Sequence, residues 1–229
     1  CVQTLAQPLL DRGVTHPLVV TDSGLSRLGL PDGMVESLQA AGLSVTVYDG
    51  VQPNPTDEDV EDGLQLYRDA GCDGIIAFGG GSPMDCAKAI GARVVRPKRT
   101  IAKMQGLFGV LHRLPPFFAV PTTAGTGSET TLAAVITDNA THHKASINDP
   151  SLIPHVAVLD PALTIGLPPA VTAATGMDAL CHAVEAYTNH TYCTKLENRM
   201  AKEAVRLIHQ YLPRAYENGS DREARQQMQ

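Results

Sequence analysis

Gly74-Ile75-Ile76-Ala77-Phe78 runs directly into Gly79-Gly80-Gly81-Ser82-Pro83-Met84-Asp85, and this junction decides the fold. A short apolar run bounded by glycines reads as a buried strand. Pro83 suits the first turn of a helix, predicted here from Pro83 to Val95. Glycines let a ligand approach the backbone with no Cβ in the way. A helix start offers unpaired N–H groups and the positive end of its dipole, and the two together suit a pyrophosphate. The segment is not a phosphate loop, because no Gly-Lys-Ser/Thr follows, and it is not Gly-x-Gly-x-x-Gly. Three glycines also make a tight strand-to-helix turn without any ligand, so the segment alone leaves both readings open.

The same alternation extends to either side. Val2 to Arg12 reads as the body of a helix. Pro17 to Thr21 is a short buried strand, Pro31 to Ala41 a helix stopped by Gly42, and Ser44 to Tyr48 a second strand. Thr56 is a helix cap with Asp59 three residues on, Asp57 and Glu58 favour the helix start, and Gly71 closes the helix. Phe117 to Val120, Leu132 to Thr137 and Val156 to Leu159 are further strand candidates. This order predicts an α/β fold: a Rossmann-like, mostly parallel sheet with helices on both faces. Near Pro168-Pro169 the character changes. Ala170 to Tyr187 and the segment from Thr194 to about Tyr211 read as helices, and no strand candidate follows. The expected division is residues 1–165 as a dinucleotide-binding α/β domain and 166–229 as the first part of a helical domain.

Composition narrows the function. Of 229 residues, 18 are Lys or Arg and 24 are Asp or Glu, a net charge of −6 that argues against tracking nucleic-acid phosphates. Charged residues make up 18% and hydrophobic ones 43%, a globular balance. No apolar stretch is long enough for a transmembrane helix. The five cysteines, Cys1, Cys72, Cys86, Cys181 and Cys193, form no Cys-x-x-Cys pair. Reduced thiols in a cytoplasmic protein fit this usage better than a disulfide framework or a zinc finger. The chain starts at Cys1 without a methionine and stops at Gln229, so the expectation is an internal piece of a longer protein.

Three further features carry chemistry. Pro121-Thr122-Thr123-Ala124-Gly125-Thr126-Gly127-Ser128-Glu129-Thr130-Thr131 also follows a strand and is crowded with hydroxyls, which bind phosphate or ribose or simply face solvent. Asp22 ends the first strand, where a carboxylate accepts from ribose hydroxyls or caps a turn. Asp178 and His182 are four residues apart, so on a helix they share one face. Carboxylate plus imidazole suits Fe2+ or Zn2+ better than Mg2+, and an i,i+4 ion pair is the alternative. His16, His112, His142, His143, His155, His190 and His209 have no evident spacing relation to that pair.

These segments in this order resemble the iron-containing (group III) alcohol dehydrogenase family. The resemblance rests on Gly79 to Asp85, on Pro121 to Glu129, and on Ala174-Thr175-Gly176-Met177-Asp178-Ala179-Leu180-Cys181-His182-Ala183-Val184-Glu185. Pro53-Asn54-Pro55-Thr56 and Asp149-Pro150 add to it. It implies a nicotinamide-binding α/β domain followed by an all-helical metal-binding one. It places Asp22 near the adenosine ribose, favouring NAD over NADP, and Asn54 on the adenine side. Gly80, Gly81, Ser82 and Asp85 would cradle the pyrophosphate. Thr122, Thr123, Thr126 and Thr131 would line the cofactor crevice. Lys144 would contact the cofactor, Leu163 would lie at its nicotinamide end, and Asp178 and His182 would be the first two metal ligands. Two further histidine ligands are implied beyond Gln229.

The implied reaction is hydride transfer between a small primary alcohol or aldehyde and NAD, aided by a divalent metal acting as a Lewis acid on the alcohol oxygen. A homo-oligomer is implied for the full-length protein, with no nucleic-acid or membrane partner. A maleylacetate-reductase-like enzyme shares the cofactor loops, but the Asp178/His182 pair argues against it. A dehydroquinate-synthase-like lyase fits Pro121 to Glu129 poorly. A catalytically inactive nucleotide-binding module is the reading from another class.

Overall fold

The protein is described by a computed structural model covering residues 2–189 and 193–229. Cys1 and His190, both considered above, lie outside the described residues. The chain divides into two compact units. The first comprises Cys1–Pro121 and Ser128–Val158, and the second Thr122–Gly127 and Leu159–Gln229.

The first unit holds α1 (Ala6–Leu10), β1 (Pro17–Val20), α2 (Ser23–Arg27), α3 (Asp32–Ala40), β2 (Thr46–Tyr48), α4 (Asp57–Asp69), β3 (Gly74–Gly79), α5 (Gly81–Val95), α6 (Ile101–Met104), β4 (Gly106–Leu107), β5 (Phe117–Pro121), β6 (Ala133–Thr137), β7 (Lys144–Asn148) and β8 (Val156–Ala157). Five strands form one parallel sheet in the order β2-β1-β3-β5-β8. β1, β3 and β5 are its centre, and every residue from Leu18 to Val20, from Ile75 to Phe78 and from Phe117 to Val120 is fully buried. A parallel sheet covered on both faces needs such unbroken apolar runs, which is why they stand out in the sequence. Burying each large side chain among them contributes roughly 1.5–3 kcal/mol.

The helices start where local chemistry says they should. Thr56 and Asp59 form a reciprocal capping box at the start of α4: the Asp59 N–H donates to Thr56 Oγ1 at 3.2 Å, and the Thr56 N–H donates to Asp59 Oδ2 at 2.8 Å. Thr194 and Glu197 repeat the device in the second unit. The helical stretch near the start is shorter than the sequence predicts. Val2–Thr4 is a 3-10 turn, and α1 is confined to Ala6–Leu10.

One strand candidate lands elsewhere. The segment predicted as Leu132 to Thr137 is β6, and it does not join the parallel sheet. It pairs antiparallel with β7, which the sequence reading did not pick out, and β4 completes a three-stranded sheet in the order β4-β7-β6. The β6–β7 turn is built on Asp138, whose carboxylate accepts from the Thr141 N–H and hydroxyl, with His142 in the left-handed region at φ 57°.

The second unit contains α7 (Pro169–Thr188), α8 (Lys195–Glu217) and α9 (Arg222–Met228). α7 and α8 pack as a hairpin, and α9 packs on α8. Gly176 of α7 permits the crossing: a Cβ there would lie 2.3 Å from Leu212 Cδ1. No strand occurs among the described residues of this unit. Cys72, Cys86, Cys181 and Cys193 are free thiols. No helix among the described residues is long and apolar enough to cross a membrane.

Candidate functional site

In the first unit the strand order reverses between β1 and β3, and an open α/β sheet binds ligands at the carboxyl ends of strands flanking such a reversal. β3 ends at Gly79 with φ 150°, where a Cβ would lie 2.6 Å from Pro83 Cγ, so only glycine fits this turn. α5 then begins behind Gly80, which provides no side-chain cap. The opening N–H groups of a fifteen-residue helix are therefore not taken up by a capping side chain.

Asp22, at the end of β1, caps α2. Its Oδ1 accepts from the Gly24 and Leu25 N–H groups at 2.9 and 3.0 Å, and its Oδ2 accepts no hydrogen bond from the described residues. Both readings of Asp22 thus remain compatible with its geometry. It lines a surface pocket of about 420 Å³ together with Gly24, Arg27, Gln52, Pro53 and Ser82. Asn54 stands beside that pocket in the left-handed region at φ 59°. Its N–H donates to Ser82 Oγ at 3.3 Å, and its Oδ1 accepts from Lys144 Nζ at 2.7 Å. Residues 54, 82 and 144, far apart in the chain, are brought into one hydrogen-bonded line.

Asp85 does not face an open cradle. It is largely buried on α5, where its carboxylate accepts from the Ser128 hydroxyl at 2.9 Å and from the Val135 N–H at 3.1 Å. Burial pushes its pKa up, against those two donors and the charge of Lys88. Lys88, one helical turn further on, is wholly buried. Its Nζ donates to Ser128 Oγ, the Thr131 carbonyl and hydroxyl, and the Ala133 carbonyl, all at 2.9–3.0 Å. Three protons serve four oxygens, none of them a carboxylate. Burial pushes this ammonium down to about 8, while Asp85 and Glu129 oppose the shift. Thr131 is thereby committed to Lys88. The sequence reading missed Lys88; its signal is a lone cation in the otherwise apolar run from Cys86 to Ala92, three residues after Asp85.

Thr122, Thr123 and Thr126 belong to the second unit, with Leu163 in a 3-10 turn at Pro161–Thr164. Thr122 is buried. Gly125 lies so close to α7 that a Cβ would stand 2.7 Å from the Thr175 carbonyl oxygen. Asp178 and His182 sit on one face of α7, both about half exposed, with His182 Nε2 at 3.7 Å from Asp178 Oδ2. Glu185 Oε2 lies 3.8 Å from His182 Nδ1. Two ligands of one tetrahedral ion at ~2.1 Å stand about 3.4 Å apart, so the pair fits as part of a metal site. Among the described residues no group of three or more potential ligands converges.

The sheet order, the glycine turn at its reversal and the trailing helices define a Rossmann-like α/β protein followed by a helical unit. The chain belongs to the iron-containing alcohol dehydrogenase family. The family model "Iron-containing alcohol dehydrogenase" matches residues 1–161, and "Fe-containing alcohol dehydrogenase family, C-terminal" matches residues 172–229. Alcohol dehydrogenase 4 of Schizosaccharomyces pombe is 41% identical over 228 residues, covering 100% of this chain and 54% of that protein. The crystal structure of a 1,3-propanediol oxidoreductase superposes with a TM-score of 0.95 at 41% identity, covering 99% of this chain and 59% of that one. The sulfoacetaldehyde reductase of Bifidobacterium kashiwanohense, solved in complex with NAD+, superposes at 0.89 with 31% identity, over 99% of this chain and 60% of that one. The chain thus spans a little over half the length of these relatives.

Proposed function

We propose that the protein is an NAD-dependent, metal-assisted alcohol dehydrogenase that interconverts small primary alcohols and aldehydes. The observation that carries this is the uncapped start of α5 at the β1/β3 reversal, with Asn54, Ser82 and Lys144 joined beside it. In this reading the α5 N–H groups bind the pyrophosphate, Lys144 adds a positive charge near it, and Asp22 Oδ2 accepts from a ribose hydroxyl. By the family resemblance, Thr122, Thr123 and Thr126 would contact the cofactor, and Leu163 its nicotinamide end. Asp178 and His182 supply two donors to a divalent ion. When bound, a nicotinamide would supply the hydride donor or acceptor, and Fe2+ or Zn2+ would supply Lewis acidity toward the substrate oxygen. Relatives named for alcohol, propanediol and sulfoacetaldehyde chemistry support the reaction class.

Calorimetric titration with NADH and NADPH tests the cofactor assignment. NADH is expected to bind at least about tenfold tighter, and Asp22→Ala to narrow that gap, because the carboxylate repels a 2′-phosphate. Tighter binding of NADPH by the unaltered protein counts against Asp22. Arg27, in the same pocket, is the side chain that would then explain it.

A further inference from the structure

In the first unit, the edge of the parallel sheet opposite the glycine turn carries a second polar pocket. Arg12 precedes β1, Arg113 and Pro116 precede β5, and His155 precedes β8, so in a parallel sheet all stand at its amino edge. With Leu114 they line a pocket of about 400 Å³. Arg12 lies over the Phe118 ring at 5.5 Å and donates to the Pro8 carbonyl at 3.1 Å. Neither Arg12 nor Arg113 pairs with a carboxylate among the described residues. Asp149 borders the adjoining pocket that shares Arg113 and His155, but its oxygens already accept from the Val110, Leu111 and Ser151 N–H groups and from the Ser151 hydroxyl.

His155 makes this more than a basic patch. Its Nδ1 accepts from the Phe117 N–H at 3.1 Å, so the neutral ring must carry its proton on Nε2. Arg113 Nε stands 3.4 Å from that Nε2. The contact therefore sets one N–H donor against another, with no acceptor between them. The His155 N–H, bonded to the Phe117 carbonyl at 2.8 Å, holds the residue at this place. Burial and the two guanidinium charges keep the imidazole below its ordinary pKa. An anion that offered an oxygen to both donors would satisfy them and reverse that charge effect.

We propose that this pocket is an oxyanion site for a phosphate dianion, free or carried as a monoester. One oxygen bridges Arg113 Nε–H and His155 Nε2–H, and Arg12 balances the remaining charge. Two fixed guanidinium charges match a dianion better than a carboxylate. The site is separate from the nucleotide pocket, which lies at the carboxyl edge of the same sheet.

Calorimetric titration of the NADH-saturated protein tests this, with inorganic phosphate, glycerol phosphate and acetate as separate probes. NADH occupies the glycine turn and removes that competing anion site. Saturable phosphate binding is expected, about tenfold tighter than acetate, and Arg113→Gln is expected to weaken it about tenfold with NADH affinity unchanged. The His155 imidazole, followed by NMR, is expected to titrate at higher pH when phosphate is bound. Whichever phosphate probe binds tighter names the source, free ion or phosphorylated small molecule. Absence of saturable binding, acetate binding as tight as phosphate, or unchanged phosphate affinity in both Arg113→Gln and Arg12→Gln overturns the proposal.

Discussion

Lys88 is the residue on which the interior of the first unit turns. It carries an amino group into a fully buried position and ties α5 to the segment from Ser128 to Ala133. Its folded pKa, about 8, lies below the ordinary 10.5. Between those values the unfolded chain binds more protons than the folded one, so the contribution of Lys88 to stability rises with pH there. Below the window the desolvation penalty is fully present; above it the penalty is gone. Wild-type protein is therefore expected to gain about 2 kcal/mol relative to Lys88→Met from about pH 8 to about pH 9.5, read as urea midpoints. An unchanged difference would show that the ammonium stays charged. At neutral pH the same variant strands four oxygens, and faster hydrogen exchange at the Thr131 and Val135 amides is the expected sign. Asp22 was visible as a candidate because it ends a strand, and Asn54 was reached only through the family resemblance. Lys88 was not visible, because a lysine's burial depends on acceptors that lie about 40 residues away in the chain.

At the scale of the element, the legible features are those whose causes are local. The α4 capping box joins residues three apart, and Thr56→Ala is expected to cost about 1 kcal/mol, seen as a melting temperature lower by about 2–4 °C. A melting point unchanged by that substitution would mean that packing alone holds the helix start. β3 and β5 are equally legible, since burial on both faces demands apolar residues without interruption. β7 was missed for the converse reason. Of Lys144-Ala145-Ser146-Ile147-Asn148 only Ile147 is buried, so neither alternation nor an apolar run marks it. β6 was seen as a strand, but its partner is supplied by a turn built on Asp138 and not by the parallel sheet.

At the scale of the whole molecule, apolar side chains remain uncovered. Met177 and Val184 on α7 and Leu196 and Met200 on α8 are between 46 and 60% exposed. Large apolar side chains left in the open favour association, so the 229-residue chain is expected to bind a hydrophobic dye and to self-associate. The double substitution Leu196→Glu and Met200→Glu should lower the dye signal by about half with helix content retained; an unaltered signal would place the exposed surface elsewhere. The sequence by itself determined the α/β order, the central strands, the glycine turn, the helix caps and the i,i+4 placement of Asp178 and His182. Each of these follows from periodicity or from contacts within a few residues. Only the tertiary structure decided that β6 and β7 form a separate sheet, that Asn54, Ser82 and Lys144 share one line of hydrogen bonds, that Lys88 is buried, and that Arg113 and His155 face each other donor to donor. Each of these depends on partners distant in the chain, and no local pattern records which distant groups a fold will bring together.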